Sequence, residues 1–191
     1  MKERTETLRT YQFEELSGEA QDKALEEMYD ANIWHDWHEI VLDEAAQDWR
    51  EKYGITFNPG KTYFDIDRDN YLYFHDGLEI EDSAKLLRAI SGNAGYGLAA
   101  HNGLLEPYSE NTHYGGGRAR THLRLQDNRD STTRDLPFDA DEWLYDLTQE
   151  LLSRLSKEYD YLTSREAIIE TIEANEYEFY EDGSRSRCIY A

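Results

Sequence analysis

The stretch "TYFDIDRDNYLYFH", Thr62 to His75, decides the fold class. Its two halves, "TYFDI" and "YLYFH", are rich in aromatic residues that favour extended chain. "DRDN" lies between them and is made of turn formers. Two such runs around a short polar break predict an antiparallel β-hairpin. An antiparallel hairpin flanked by helical sequence points to an α+β domain rather than an alternating α/β one.

Upstream, the sequence is helical. Ser17 is suited to cap a helix that runs to about Ala31, with Ala20, Ala24, Met28 and Ala31 on one face. "NIW" marks a bend. A second helix is expected from about Trp34 to Tyr53, stopped by Gly54, so the pair reads as a helical hairpin. "ITF" and the turn Asn58-Pro59-Gly60 lead into the β-hairpin. Downstream, "DSAKLLRAI" predicts a short helix starting near Asp82.

From Gly92 to Gly117 the periodicity stops, and seven of the chain's 12 glycines fall there. This reads as a long loop or flexible excursion at about 92–117, with a short strand as an alternative within it. "RTHLRLQ", Arg120 to Gln126, alternates and predicts a strand with Leu123 and Leu125 inward. A long helix follows from about Ala140 to Ser156, with Leu144, Leu147, Leu151 and Leu155 as its buried stripe. Thr163 and Glu166 have capping-box spacing for a last helix ending near Ala174. "EYEFY" and "SRCIY" flank Asp182-Gly183, a second hairpin signal. The expectation is one domain over residues 1–191. It would hold an antiparallel sheet of four to five strands, with the N-terminal helical hairpin and two helices from the C-terminal half packed on it.

The charge is the functional clue. There are 41 acids and 20 bases among 191 residues, a net charge of −21. Such a surface repels nucleic acid and anionic membrane and attracts basic proteins. No apolar run approaches the ~20 residues of a membrane span, and the N-terminus lacks a signal-peptide core. Cys188 is the single cysteine, which suits a cytoplasmic protein.

On helical wheels the acids form stripes. Glu19, Asp22, Glu26 and Asp30 share a face of the first helix. Asp36, Glu39 and Asp43 do so on the second, and Glu166, Glu170 and Glu173 on the last. Glu176 and Glu178 share a face of the terminal strand. Like charges four apart on a helix cost about 0.2–0.5 kcal/mol per pair, so a benefit elsewhere is implied. Carboxylates spaced ~5–6 Å apart on a helix imitate the repeat of a phosphate backbone. The expected partner is a basic, nucleic-acid-binding protein. A solvated face, or adaptation to high salt given only six lysines, are the plain alternatives.

Catalytic and metal patterns are weak. His35 and His38 read as core or boundary residues, and His75, His101, His113 and His122 lack metal-site spacing. "HYGGGRAR" lacks the Lys-Ser/Thr of a phosphate loop, and "DIDRD" reads as a tight turn. No catalytic residue, metal or cofactor is expected. One alternative is an antitoxin-like neutraliser of a basic toxin. Another is a small-molecule-binding or enzymatic protein using the glycine-rich segment with His101 and His113.

Two stretches carry a resemblance: "YQFEELSGEAQDKALEE" (Tyr11 to Glu27) and "EYDYLTSREAIIETIEANEYEFYEDG" (Glu158 to Gly183). They resemble a loose family of small, acidic, uncharacterised bacteriophage proteins, over about a quarter of the chain. The resemblance implies a phage product acting in a bacterial host's cytoplasm. It carries no catalytic residues. It implies a counter-defence role of anti-restriction or anti-CRISPR type, in which an acidic DNA mimic inhibits a nuclease through a protein–protein interaction.

Overall fold

The computed structural model describes residues 9–34, 36–68, 70–114, 118–130, 132–134 and 140–186. Their elements follow in chain order: α1 (Gly18–Glu27), α2 (Glu39–Tyr53), β1 (Ile55–Thr56), β2 (Thr62–Asp65), β3 (Tyr71–Phe74), β4 (Glu79–Ile80), α3 (Ser83–Ser91), α4 (Ala94–His101), β5 (Leu105–Tyr114), β6 (Arg118–Asp127), β7 (Thr132–Arg134), α5 (Ala140–Leu162) and α6 (Arg165–Ala174). The class is α+β. Contacts divide the chain into two compact units, 1–37 with 157–191 and 38–156.

In the larger unit the hairpin forms as the sequence predicts. β2 and β3 pair antiparallel, with Tyr63 opposite Tyr73 and Phe64 opposite Leu72. Asp65 closes the turn by accepting from the amides of Asp67 and Arg68, at 3.0 and 2.9 Å. Asp69 of the "DIDRD" reading lies outside the described residues. Among the described residues the strands do not join one ladder of four or five. They make three antiparallel sheets, β1–β4, β2–β3 and β5–β6–β7.

Side chains do the joining instead. The Ser109 hydroxyl accepts from the Leu78 amide and donates to the Leu78 carbonyl, both at 2.8 Å. The Asn111 amide donates to the carbonyls of Phe74 and His75. Tyr71 accepts from the Ala119 amide at 3.0 Å. Beneath these strands Trp49, Phe57 and Phe74 pack ring to ring, with centroids 4.7–5.7 Å apart. Leu123 and Leu125 are buried, as the alternation of β6 requires, and so are Leu144, Leu147, Leu151 and Leu155 of α5.

The glycine-rich segment differs from its expectation. It holds α4 and the whole of the ten-residue β5 rather than an unstructured loop. Asn93 caps α4 by accepting from the Gly95 amide at 2.8 Å. Gly97 lets α4 close onto α3, since a Cβ there would sit 2.8 Å from the Ala84 carbonyl oxygen. Packing therefore stabilises a helix whose glycines disfavour it locally.

The smaller unit has its own core of Phe13, Leu16, Ala20, Ala24, Leu25, Met28, Ile168, Ile172 and Phe179. Ser17 caps α1 as expected, accepting from the Ala20 amide at 3.3 Å. α1 stops at Glu27 rather than near Ala31, because Asn32 is drawn aside. Its amide nitrogen donates to the Leu162 carbonyl at 3.0 Å, and its oxygen accepts from Thr171 at 2.6 Å. α2 starts at Glu39 rather than Trp34. The Trp37 ring meets Tyr159, with centroids 5.7 Å apart. α1 and α2 belong to different units, so the expected helical hairpin is divided between them.

The N-cap of α6 is Ser164, one residue past the expected Thr163. Thr163 instead donates to the Tyr159 carbonyl and closes α5, which extends six residues beyond Ser156. The expected terminal strand reduces to isolated bridges of Phe179 with Tyr11 and Arg185. Cys188 and the rest of "SRCIY" from 187 on lie outside the described residues.

Candidate functional site

The smaller unit carries 19 acids and 8 bases in 72 residues, a net of −11. The larger carries −10 over 119. Of the twelve candidate carboxylates, Glu19, Asp22, Glu26, Asp30, Asp36, Glu166, Glu170, Glu173, Glu176 and Glu178 lie in the smaller unit, and Glu39 and Asp43 in the larger. Ten therefore share one unit.

Six of them ride on two contacting helices. α1 buries Ala20, Ala24 and Leu25 and exposes Glu19, Asp22 and Glu26. α6 buries Ala167, Ile168 and Ile172 and exposes Glu166, Glu170 and Glu173. α1 and α6 pack against each other over the shared core. The three-and-four spacing thus places both acidic stripes away from that core.

The remaining four in this unit do not extend the stripes as expected. Asp30 lies in turns past the end of α1, and Asp36 in the turn before α2. Glu176 follows α6 with φ +51, which takes it out of extended chain and off any strand face shared with Glu178. Glu178 is half-buried. In the larger unit Glu39 and Asp43 remain exposed on α2.

Cations in the smaller unit brace packing. Arg165 reaches Asp22 at 2.9 Å, and Lys23 reaches Asp182 at 2.6 Å. Hydrogen bonds from Lys23 and then Ser184 hold the Asp182 carboxyl well below the usual carboxylate range. The Arg185 amide donates to Glu27 at 3.1 Å, and its guanidinium lies 4.0 Å from the Tyr177 ring centroid. These contacts seat the 180–185 turn on α1. Gly183 makes that possible: its φ is +84, and a Cβ would fall 2.1 Å from the Ala20 carbonyl oxygen.

A second electrostatic pattern was not legible from single stripes. The C-terminal end of a helix carries partial negative charge and favours a basic residue. α2 ends with Arg50 and Lys52, α3 with Arg88 and α4 with His101. Among the described residues, the three helices that end in the smaller unit, α1, α5 and α6, have no base in the last turn. Each carries an acid there instead: Glu26 and Glu27 on α1, Asp160 on α5, Glu173 on α6. Helix dipoles and carboxylates therefore add in sign at all three ends.

Other candidates resolve into structure. His38, expected as a core or boundary residue, is half-buried and packs edge-on against Phe64 at 5.2 Å, while His35 lies outside the described residues. Sequence reasoning missed the buried His122, whose Nδ1 lies 2.9 Å from Asp141. Its signal was register: His122 sits opposite Glu110 on β5. Arg124 reaches both Glu110 and Asp141, at 3.0 and 3.5 Å. Burial pushes the Asp141 carboxyl up. The His122 bond and charge, with Arg124 and the Leu123 amide, outweigh that and hold it below its ordinary value. The network fastens β6 to the first turn of α5.

Two shallow cavities flank α4. One, ≈ 240 Å³, is lined by residues including Tyr96, Leu104 and Arg129, and the other, ≈ 370 Å³, by residues including Arg88, Leu98 and His101. His113 lines neither. Among the described residues, no group of three or more His, Cys, Asp or Glu is placed to hold a metal ion, and no helix is long and apolar enough to cross a membrane. Compared with protein-family models, curated proteins and solved structures, the chain matches none of them.

Proposed function

We propose that the protein is a non-enzymatic inhibitor of phage counter-defence type. Its smaller unit occupies the basic nucleic-acid groove of a host nuclease, of restriction or CRISPR kind, in a bacterial cytoplasm. The observation that carries this reading is the pair of acidic stripes on α1 and α6, held together by one core. Six carboxylates there stand at the interval that a Lys/Arg-lined groove meets along a phosphate backbone. The negative helix ends of the same unit add to that field. Binding of this kind releases counterions and weakens steeply with salt.

The test is a tagged pull-down from bacterial host lysate through a salt gradient, with and without competing duplex DNA. The expected result is one basic nucleic-acid-binding protein, released by moderate salt and by DNA. A captured partner indifferent to both salt and DNA overturns the reading. So does a variant carrying Glu19→Lys, Glu26→Lys, Glu166→Lys and Glu170→Lys that binds the partner as tightly as the parent chain.

A further inference from the structure

A water-exposed tryptophan is rare, because its ring is among the largest apolar surfaces a chain owns. Trp34 is 73% exposed, Tyr161 54% and Tyr29 49%. All three lie in the smaller unit. Two pins hold together the segments that carry Trp34 and Tyr161. Asn32 donates to the Leu162 carbonyl, and the Trp37 ring meets Tyr159. Trp34 lies between the pins on one segment and Tyr161 between them on the other. Tyr29 stands three residues before the first pin.

The surroundings are negative. Residues 29–37 and 157–162 together carry Asp30, Asp36, Glu158 and Asp160 against the single base Lys157. The C-terminal end of α5 points its partial negative charge into this corner, with no basic residue in its last turn.

Aromatic rings beside carboxylates suit a cation with a flat or apolar body. A guanidinium stacks on an indole face while neighbouring carboxylates meet its N–H groups. Tryptophan and tyrosine are also the residue types that most often anchor protein interfaces. We propose that the Trp34–Tyr161 corner is the anchoring point for an arginine side chain of a basic protein partner. This inference rests on the proposed function and adds to it: the stripes on α1 and α6 supply long-range attraction, and the aromatic corner fixes where the partner seats.

The test uses the full chain labelled with ¹⁵N and an octa-arginine peptide at low salt, with octa-glutamate as control. The indole N–H signal of Trp34 is assigned by its loss in Trp34→Phe. The expected result is a saturable shift of that signal with octa-arginine alone. Trp34→Ala should weaken binding about three- to tenfold, and Trp34→Phe much less. Retention of the other indole signals shows that the variants are folded. Unchanged affinity in both Trp34→Ala and Tyr161→Ala overturns the aromatic anchor. If the stripe variant Glu166→Lys with Glu170→Lys still loses binding in that case, the acidic reading stands alone. A wild-type chain that does not bind octa-arginine overturns both.

Discussion

The two units of this chain treat the ends of their helices in opposite ways. In the larger unit, α2, α3 and α4 each finish with a basic side chain. That unit also sets cations against its acids, with Arg154 near Glu44 and Asp48, Arg50 on Glu81, and Arg124 between Glu110 and Asp141. In the smaller unit α1, α5 and α6 finish with acids and no base. Each cation forgone at a helix end is worth about 0.3–1 kcal/mol. Three together approach a tenth or more of a typical stability of ~5–15 kcal/mol. A local rule kept in one unit and broken three times in the other marks where folding stability yields to another demand. Composition alone does not explain it, because both units are acidic.

The strongest way to break this comparison is to remove the smaller unit. Gly183→Val places a side chain in a left-handed backbone and against the Ala20 carbonyl, at a cost of roughly 2–4 kcal/mol. Hydrogen exchange should then show loss of protection in α1 and α6, with salt-sensitive binding lost as well. Gly97→Val presses instead on the α3–α4 contact. It should loosen the larger unit and spare binding. Equal loss of binding in both variants would erase the functional distinction between the units.

Charge reversal is the next largest effect. Changing Glu19, Glu26, Glu166 and Glu170 together to Lys should weaken a basic partner more than tenfold and flatten the salt dependence. Glu39→Lys with Asp43→Lys in the larger unit should change affinity less than twofold. Isothermal titration at two salt concentrations reads both, and similar losses would spread the site over both units.

Acid separates the units through one carboxylate in each. Asp182 and Asp141 both have lowered folded values. A lowered value means a stabilising contribution that is complete above the ordinary carboxylate range, near pH ~4, and lost as pH falls below it. Asp182→Asn should therefore flatten the acid-induced loosening of α1 and the 180–185 turn. Asp141→Asn should do the same for the β6–α5 contact. Fluorescence and hydrogen exchange between neutral pH and pH ~3 would show it, and an unchanged acid profile in either variant would contradict the assignment.

The smallest effect is the most diagnostic. Glu173→Lys puts a base in the last turn of α6 and should raise stability by about 0.3–1 kcal/mol in thermal unfolding. The same change should weaken the basic partner. A variant both more stable and tighter-binding would mean that the acidic helix ends serve no partner.

Sequence alone determined the elements whose signals are local. Ser17 and Asp82 cap their helices because a side-chain oxygen reaches an amide three residues on. Gly54 ends α2 because it accepts a left-handed backbone, with φ 72. The β2–β3 hairpin and the leucine stripe of α5 follow from periodicity. The exposure of the acids on α1 and α6 follows from it too, since a helix that buries one face must show the other. Tertiary structure decided the rest, because those outcomes depend on partners distant in the chain. Asn32 ends α1 early by bonding to Leu162 and Thr171, over a hundred residues away, so Asp30 leaves the stripe. Gly97 lets a stretch that reads as loop pack as a helix, because the Ala84 backbone and the Arg88 side chain across the interface leave no room for a Cβ. The gathering of ten carboxylates into one unit is of the same kind. It arises because Phe179 and α6, near the end of the chain, share a core with α1 near its beginning, and apolar burial takes no account of sequence distance.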